Sequence, residues 1–177
     1  ISAARKSIND GSVKGALYAG GIGGVCSNYI VTSINKGSLE GGNVGGICGY
    51  STAFIITSLS YTEKSNGLTT GGIVAINKGK IAGGFFDATK QPGIQPIAKD
   101  SANTINWEMQ GLPTKDMQTI EFACKLNDIE INRNAIANAN FDALYTRSRL
   151  WTTTGSYPFF ADSVNLPIQR ISLDDSL

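Results

Sequence analysis

Histidine is absent from this 177-residue chain. Its absence excludes Ser-His-Asp and Cys-His nucleophile systems, imidazole metal ligation and histidine pH switching together. Charge is scarce as well: 16% of residues are charged, against roughly 25% in an average soluble domain. The signs nearly cancel, 15 Lys and Arg against 14 Asp and Glu, for a net charge of +1. The basic surplus that nucleic-acid binding or a polybasic membrane contact draws on is therefore missing. No apolar run approaches the ~20 residues of a membrane-spanning helix. What remains is carboxylate chemistry or no chemistry.

Glycine is what the chain has in excess, and it is unevenly placed. Of 21 glycines, nineteen lie between Gly11 and Gly93, with Gly111 and Gly155 beyond. Charge divides at the same place: residues 1–93 carry 8 basic and 4 acidic side chains, residues 94–177 carry 7 and 10. Two compositional halves follow, with a boundary at Gln91-Pro92-Gly93.

The first half repeats. Ala19 to Ile34, AGGIGGVCSNYIVTSI, lies ungapped over Val44 to Leu59, VGGICGYSTAFIITSL, at an offset of 25. Thr70 to Phe85, TGGIVAINKGKIAGGF, is a third copy at an offset of 26, and Ile8 to Gly15 lies over Ile34 to Gly41. A unit of this size fits a leucine-rich repeat, a helical pair or one turn of a β-solenoid. Leucine is sparse, and a glycine doublet in every unit excludes helical hairpins at about 1 kcal/mol per glycine. Alternation of period two decides for strands. Ile30, Thr32 and Ile34 align with Ile55, Thr57 and Leu59 and with Ile81, Gly83 and Phe85, as one face of a ribbon. Gly20, Ile22 and Gly24 align with Gly45, Ile47 and Gly49 and with Gly71, Ile73 and Ala75, where two walls approach closely. The fold expected is mostly all-β, a parallel β-helix or β-solenoid of about three to four rungs with a C-terminal α+β cap. Ile22, Ile47 and Ile73 form one inward ladder, and Ile30, Ile55 and Ile81 another. Asn35 to Gly37 and Asn77 to Gly79 turn the corners.

Val44-Gly45-Gly46-Ile47-Cys48-Gly49-Tyr50 and Gly71-Gly72-Ile73-Val74-Ala75-Ile76-Asn77-Lys78-Gly79-Lys80-Ile81 resemble the GLUG motif, a repeat of large bacterial surface proteins. Gly84-Phe85-Phe86-Asp87 is similar to the end of such an array and Gly111 to Met117 to the segment that follows it. Phe141-Asp142, Trp151 and Tyr157-Pro158-Phe159 resemble its closing block. The second copy lacks the Asn-x-Gly corner and the third has Ala75 where the motif has glycine. The resemblance implies an extracellular, cell-surface module of adhesin-like or S-layer-like proteins, sometimes attached to secreted peptidases, with no catalytic residue of its own. Its implied partners are neighbouring repeats and a host or cell-surface glycan or protein.

Residues 94–177 read as a cap over the exposed end of residues 1–93. Thr114 is expected to N-cap a helix through Leu126 that presents Met117, Ile120 and Cys124 on one face. Trp107, Phe122, Phe141, Tyr145, Trp151, Tyr157, Phe159 and Phe160 gather most of the aromatic mass there, as a cap core rather than a sugar platform. Asn132 to Asn140 reads as an irregular loop. Ile1 falls mid-rung, with no initiator Met or signal peptide, so the chain reads as a piece of a longer array.

Cys26, Cys48 and Cys124 have no metal-ligand spacing. Repeat register lays Cys48 over Gly23, placing Cys26 near 10 Å away along an extended strand and facing the other way, so free thiols are expected. An enzyme on such a solenoid, a polysaccharide lyase or glycosidase, needs convergent carboxylates or a carboxylate-held metal. The repeats offer Asp10, Glu40, Glu63 and Asp87, with Lys36 and Thr62 at the repeat position of Asp10 and Glu40 over Lys14. Asp128 with Glu130 and Asp174 with Asp175 read as solvated loop charge. No residue is therefore assigned to catalysis, a cofactor or a metal. A ligand, if there is one, is expected on a flat wall where exposed side chains vary from rung to rung.

Overall fold

The computed structural model describes residues 1, 3–102, 107–137 and 151–160. They divide into two units, residues 1–114 and 115–177. The first is a β-solenoid of about four turns. It opens with β1 (Ala3–Arg5) and β2 (Ile8–Asn9), then runs through β3 (Val13–Gly20), β4 (Gly23–Cys26), β5 (Tyr29–Val31) and β6 (Ile34–Asn35). The next turns are β7 (Leu39–Gly45), β8 (Cys48–Ser51) and β9 (Phe54–Ser60), then β10 (Ser65–Gly71), β11 (Val74–Asn77) and β12 (Lys80–Asp87). It ends with β13 (Ile97–Asp100) and β14 (Trp107–Leu112). Three parallel sheets result: wall A holds β1, β2, β5, β6, β9, β12 and β14, wall B stacks β3, β7 and β10, and wall C stacks β4, β8, β11 and β13.

Both isoleucine ladders exist. Ile30 pairs Ile55, which pairs Ile81, and all three are buried. Ile22 N donates to Ile47 O and Ile47 N to Ile73 O, and these side chains join the same core. The doublet glycines explain themselves in this packing. A Cβ on Gly20, Gly45 or Gly71 would strike the backbone of the strand that follows. One on Gly21, Gly46 or Gly72 would strike Asn35, Ser60 or Phe86, the stacked inward residues of wall A.

Three expectations need correction here. The first is the face shared by Ile30 and Ile34. Lys6, Thr32, Thr57, Gly83 and Glu108 all have positive φ (46°, 52°, 38°, 84° and 53°), and the pairing registers place them at one repeat position. A left-handed residue resets the two-residue alternation of a strand. Ile81 and Phe86 therefore join the interior core together, with Gly84 against Ile73 between them. Ile34, Leu59 and Phe85 lie on the opposite face of wall A, where they too are buried.

The second correction is the boundary at Gly93. β13 pairs β11 and β14 pairs β12, both in parallel, so the solenoid continues to Leu112 and Trp107 belongs to its fourth turn. Glycine becomes rare because it changes sides: Gly111 follows Phe86 in the inward column of wall A, while Gln95, bonded by Gly72 N, takes the doublet position. The third correction is the helix. α1 is a single turn, Thr114–Met117, and α2 runs Ile120–Ala137, through the first part of the expected loop. Thr119 caps α2, its Oγ1 accepting from Phe122 N at 3.1 Å. Thr114 Oγ1 instead donates to Asp87 Oδ2 at 2.6 Å.

In the second unit the buried face of α2 is Phe122, Ala123, Leu126, Asn127 and Ile129, while Ile120 is exposed. A short antiparallel pair, β15 (Trp151–Thr152) and β16 (Phe159–Phe160), stacks Trp151 against Phe160 at 5.6 Å. Asn127 clamps the helix to this hairpin: its Nδ2 donates to Trp151 O and its Oδ1 accepts from Trp151 N, each at 3.0 Å. Asn127→Ala strands both backbone groups. It is expected to destabilise this unit by about 2 kcal/mol, visible as an earlier urea transition in tryptophan emission. Phe141, Tyr145, Asn138 to Asn140 and the Asp174–Asp175 pair lie outside the described residues.

Candidate functional site

The corners show how the rungs use their polar residues. Ser51 Oγ, Asn77 Oδ1 and Asp100 Oδ1 each accept the amide two residues on, at the corner between walls C and A. Asn9, Asn35, Thr62 and Asp87 make the same bond at the corner leading to wall B. Side chains of this length mimic a turn carbonyl, which is why they recur where the chain bends. The Asn-Lys-Gly triplets, alike in sequence, thus serve two different corners.

The carboxylates weighed as catalytic candidates are placed as follows. Glu40 lies 2.8 Å from Lys14 Nζ, Asp10 3.4 Å from Lys36 and Glu63 3.2 Å from Lys90. Asp87 is buried and holds Thr89 N, Lys90 N and Thr114 Oγ1. Asp128 is an exposed residue of α2. These groups do not converge on one cleft. Register also corrects one alignment: Lys36 is followed in its column by Tyr61, because the wall A to wall B corner at Tyr61–Lys64 holds the extra residue of the 26-residue offset.

Wall B carries the candidate site, a shallow hollow of about 480 Å³ lined by Lys14, Ala16, Glu40, Asn66 and Leu68 around Gly15, Gly41 and Gly67. The three glycines stack in register, and a Cβ on any of them would point inward, against Ala19 or Val44, rather than into the hollow. Beside them β3 is bulged between Gly15 and Tyr18, and Asn43 Nδ2 donates across the ladder to Leu17 O at 3.1 Å. Lys14, Glu40 and Asn66 form one outward column: cation, carboxylate, amide. The hydrogen bond and the charge of Lys14 hold the Glu40 carboxyl below its usual range. Glu40 is the single carboxylate of the hollow, whereas glycoside hydrolysis uses two. The geometry suits recognition of a polar ligand.

A pair of tyrosines that composition did not single out sits where walls B and C meet. Tyr18 and Tyr50 stand 5.5 Å apart, with Lys78 Nζ 5.7 Å from the Tyr50 ring. Both rings are half-buried on the solenoid.

Replacing Lys14 with Gln should raise the Glu40 pKa toward that of an ordinary glutamate, as read by NMR titration of its side chain. Because the folded-state pKa is the lowered one, the pair stabilises the protein above the unfolded value. That contribution fades as pH falls through the folded one. Both side chains are exposed, so the melting temperature should barely change.

Cys26 and Cys48 are joined as a disulfide, which overturns the expectation of free thiols at these positions; Cys124 is a thiol outside any disulfide. The predicted register was right, since Gly23 pairs Cys48 and Cys26 pairs Ser51. The assumption of an extended strand was not. The chain arcs at the corner, so residues three apart, Cys48 and Ser51, are both buried, and Cys26 folds back over Gly23. The Cα atoms come to 6.5 Å, within bridging range.

No family model, curated protein or solved structure matches the chain. Among the described residues, no cluster of three or more Cys, Asp or Glu could hold a metal ion, and no helix is long and apolar enough to cross a membrane.

Proposed function

We propose that this chain is a non-catalytic, extracellular GLUG-like repeat module of a large bacterial surface protein, serving as a structural spacer or an adhesin-like binding segment. The observation that carries the reading is the use made of the repeated positions. They are ladder aliphatics, doublet glycines and corner residues, while Asp10, Glu40, Glu63 and Asp87 are engaged by lysines or by turn amides. A disulfide between neighbouring rungs supports an oxidising, extracellular setting. The hollow on wall B and the Tyr18–Tyr50 pair support binding of a glycan or protein ligand on the solenoid surface.

Glycan and surface-protein arrays probed with the intact chain test the binding arm, and K14A together with Y50A should remove the signal. Turnover of a polysaccharide or peptide, abolished by replacing one carboxylate, would overturn the non-catalytic reading and favour a carbohydrate-active β-helix enzyme.

A further inference from the structure

We propose that the outer edge of β10, unpaired among the described residues, is a docking site for an extended polypeptide segment, which adds to wall B as a parallel fourth strand. The inference holds whether the module is a spacer or a binding segment. Walls A and C each gain a strand in the fourth turn, β14 on β12 and β13 on β11, but β10 has no strand on its other side among the described residues. The chain is too short there to supply one. From Ser60 to Val74 it takes fourteen steps, whereas between their register partners, Phe86 and Ile97, it takes eleven. Part of that path is the turn that carries Gln91 against the Thr62 carbonyl. The fourth turn rejoins wall B only beyond the end of β10, where Gly72 N donates to Gln95 O at 2.8 Å. A notch one strand wide and about 23 Å long is left, for seven residues at roughly 3.3 Å each.

The chemistry of this edge sets it apart from the edges at β3, β13 and β14. Exposed edges are usually blunted by charge, proline or a bulge. The lower edge of the same wall, β3, has Lys14 and a bulge; β13 has Lys99 and Asp100; β14 has Glu108. β10, Ser-Asn-Gly-Leu-Thr-Thr-Gly, has none of these, and Leu68 on it is 96% exposed. Leu39 N donates to Lys64 O, which sets the phase of the ladder and turns the amide and carbonyl of Ser65 and Gly67 away from β7. Ser65 Oγ is itself buried without a hydrogen-bond partner. The matching ligand is therefore an extended, locally uncharged peptide, with a polar residue over Ser65 and glycine or another small residue over Gly67.

A second copy of the solenoid stacked end-on does not fit. β1 and β2 make wall A reach one rung lower than walls B and C at one end, while wall A reaches one rung higher than wall B at the other. Seating β1 of one copy on β14 of another leaves a gap in wall B two strands deep.

The test uses the full chain and an acetylated, amidated heptapeptide with the sequence of β10. Amide exchange followed by NMR should slow at Ser65 and Gly67 on addition of the peptide. N-methylating the peptide amides that face β10 should weaken binding at least ~10-fold, while methylating the alternate set should not. Three results would overturn the proposal: no added protection at millimolar peptide, equal loss with both methylated sets, or Ser65 and Gly67 already protected in the chain alone. Concentration-dependent protection without peptide would identify a second copy as the occupant and would also reject it.

Discussion

Ile55→Ala is expected to lower the stability of the solenoid by about 3–4 kcal/mol, the range for deleting three buried carbons from a packed site. Ile55 is fully buried between Ile30 and Ile81, one rung below and one above, and belongs to the core cluster that also holds Ile47 and Ile73. The paired backbones fix the spacing of these ladders, so neighbouring rungs cannot collapse into the space vacated. The loss should sit near the upper part of the usual range for that reason. Ile55→Val, which removes one carbon, should cost about 1 kcal/mol. Leu68→Ala, on a side chain 96% exposed, should stay within roughly 0.5 kcal/mol. Urea denaturation of the three variants checks the ordering. Equal losses at Ile55 and Leu68 would mean that the ladder does not carry the stability.

The repeat register was legible because it is written in two independent alphabets. Glycine doublets mark where a side chain from wall A fills the interior, and isoleucines mark where like packs on like. Both survive at the predicted offsets in Ile30–Ile55–Ile81 and in the stack of Gly46 against Ser60. Parity along wall A was not legible. Thr32 and Thr57 are β-branched residues with positive φ, a conformation that residue type argues against. Gly83 is the one member of the five-residue column whose identity hints at it. Counting by twos from Ile30 therefore puts Ile34 on the wrong face and leaves Asn35 as a corner residue only, whereas its side chain also points inward against Gly21.

The end of the repeat was misread for a related reason. Composition follows the doublet, and its second glycine is needed only while wall A sends a side chain across. Once Gly111 occupies that column, Gln95 can stand where glycine stood below. The candidate site was legible only in kind. A wall with side chains varying from rung to rung could be expected, and so could Glu40 over Lys14. The bulge at Ala16–Leu17 and the lack of a fourth strand on wall B among the described residues depend on local chain length, which no residue pattern signals.

Removing the Cys26–Cys48 disulfide is expected to destabilise the chain by about 3 kcal/mol, as follows from closing a loop of some twenty residues in the unfolded state. Its position gives that loss a local meaning. The bond ties β4 to β8, joining the first full turn to the second, where wall C has only four residues per strand to hold the ladder. The lower turns should therefore fray first on reduction, with exchange rising at Val25 and Tyr50 before Val74 and Ile76. Urea transitions with and without a thiol-free reductant should differ in the wild type and coincide in Cys26→Ala/Cys48→Ala. Alkylation of the denatured, unreduced chain should modify Cys124 alone, and all three cysteines after reduction. Three modified cysteines without reductant would remove both the rung staple and the support that it lends to an extracellular setting.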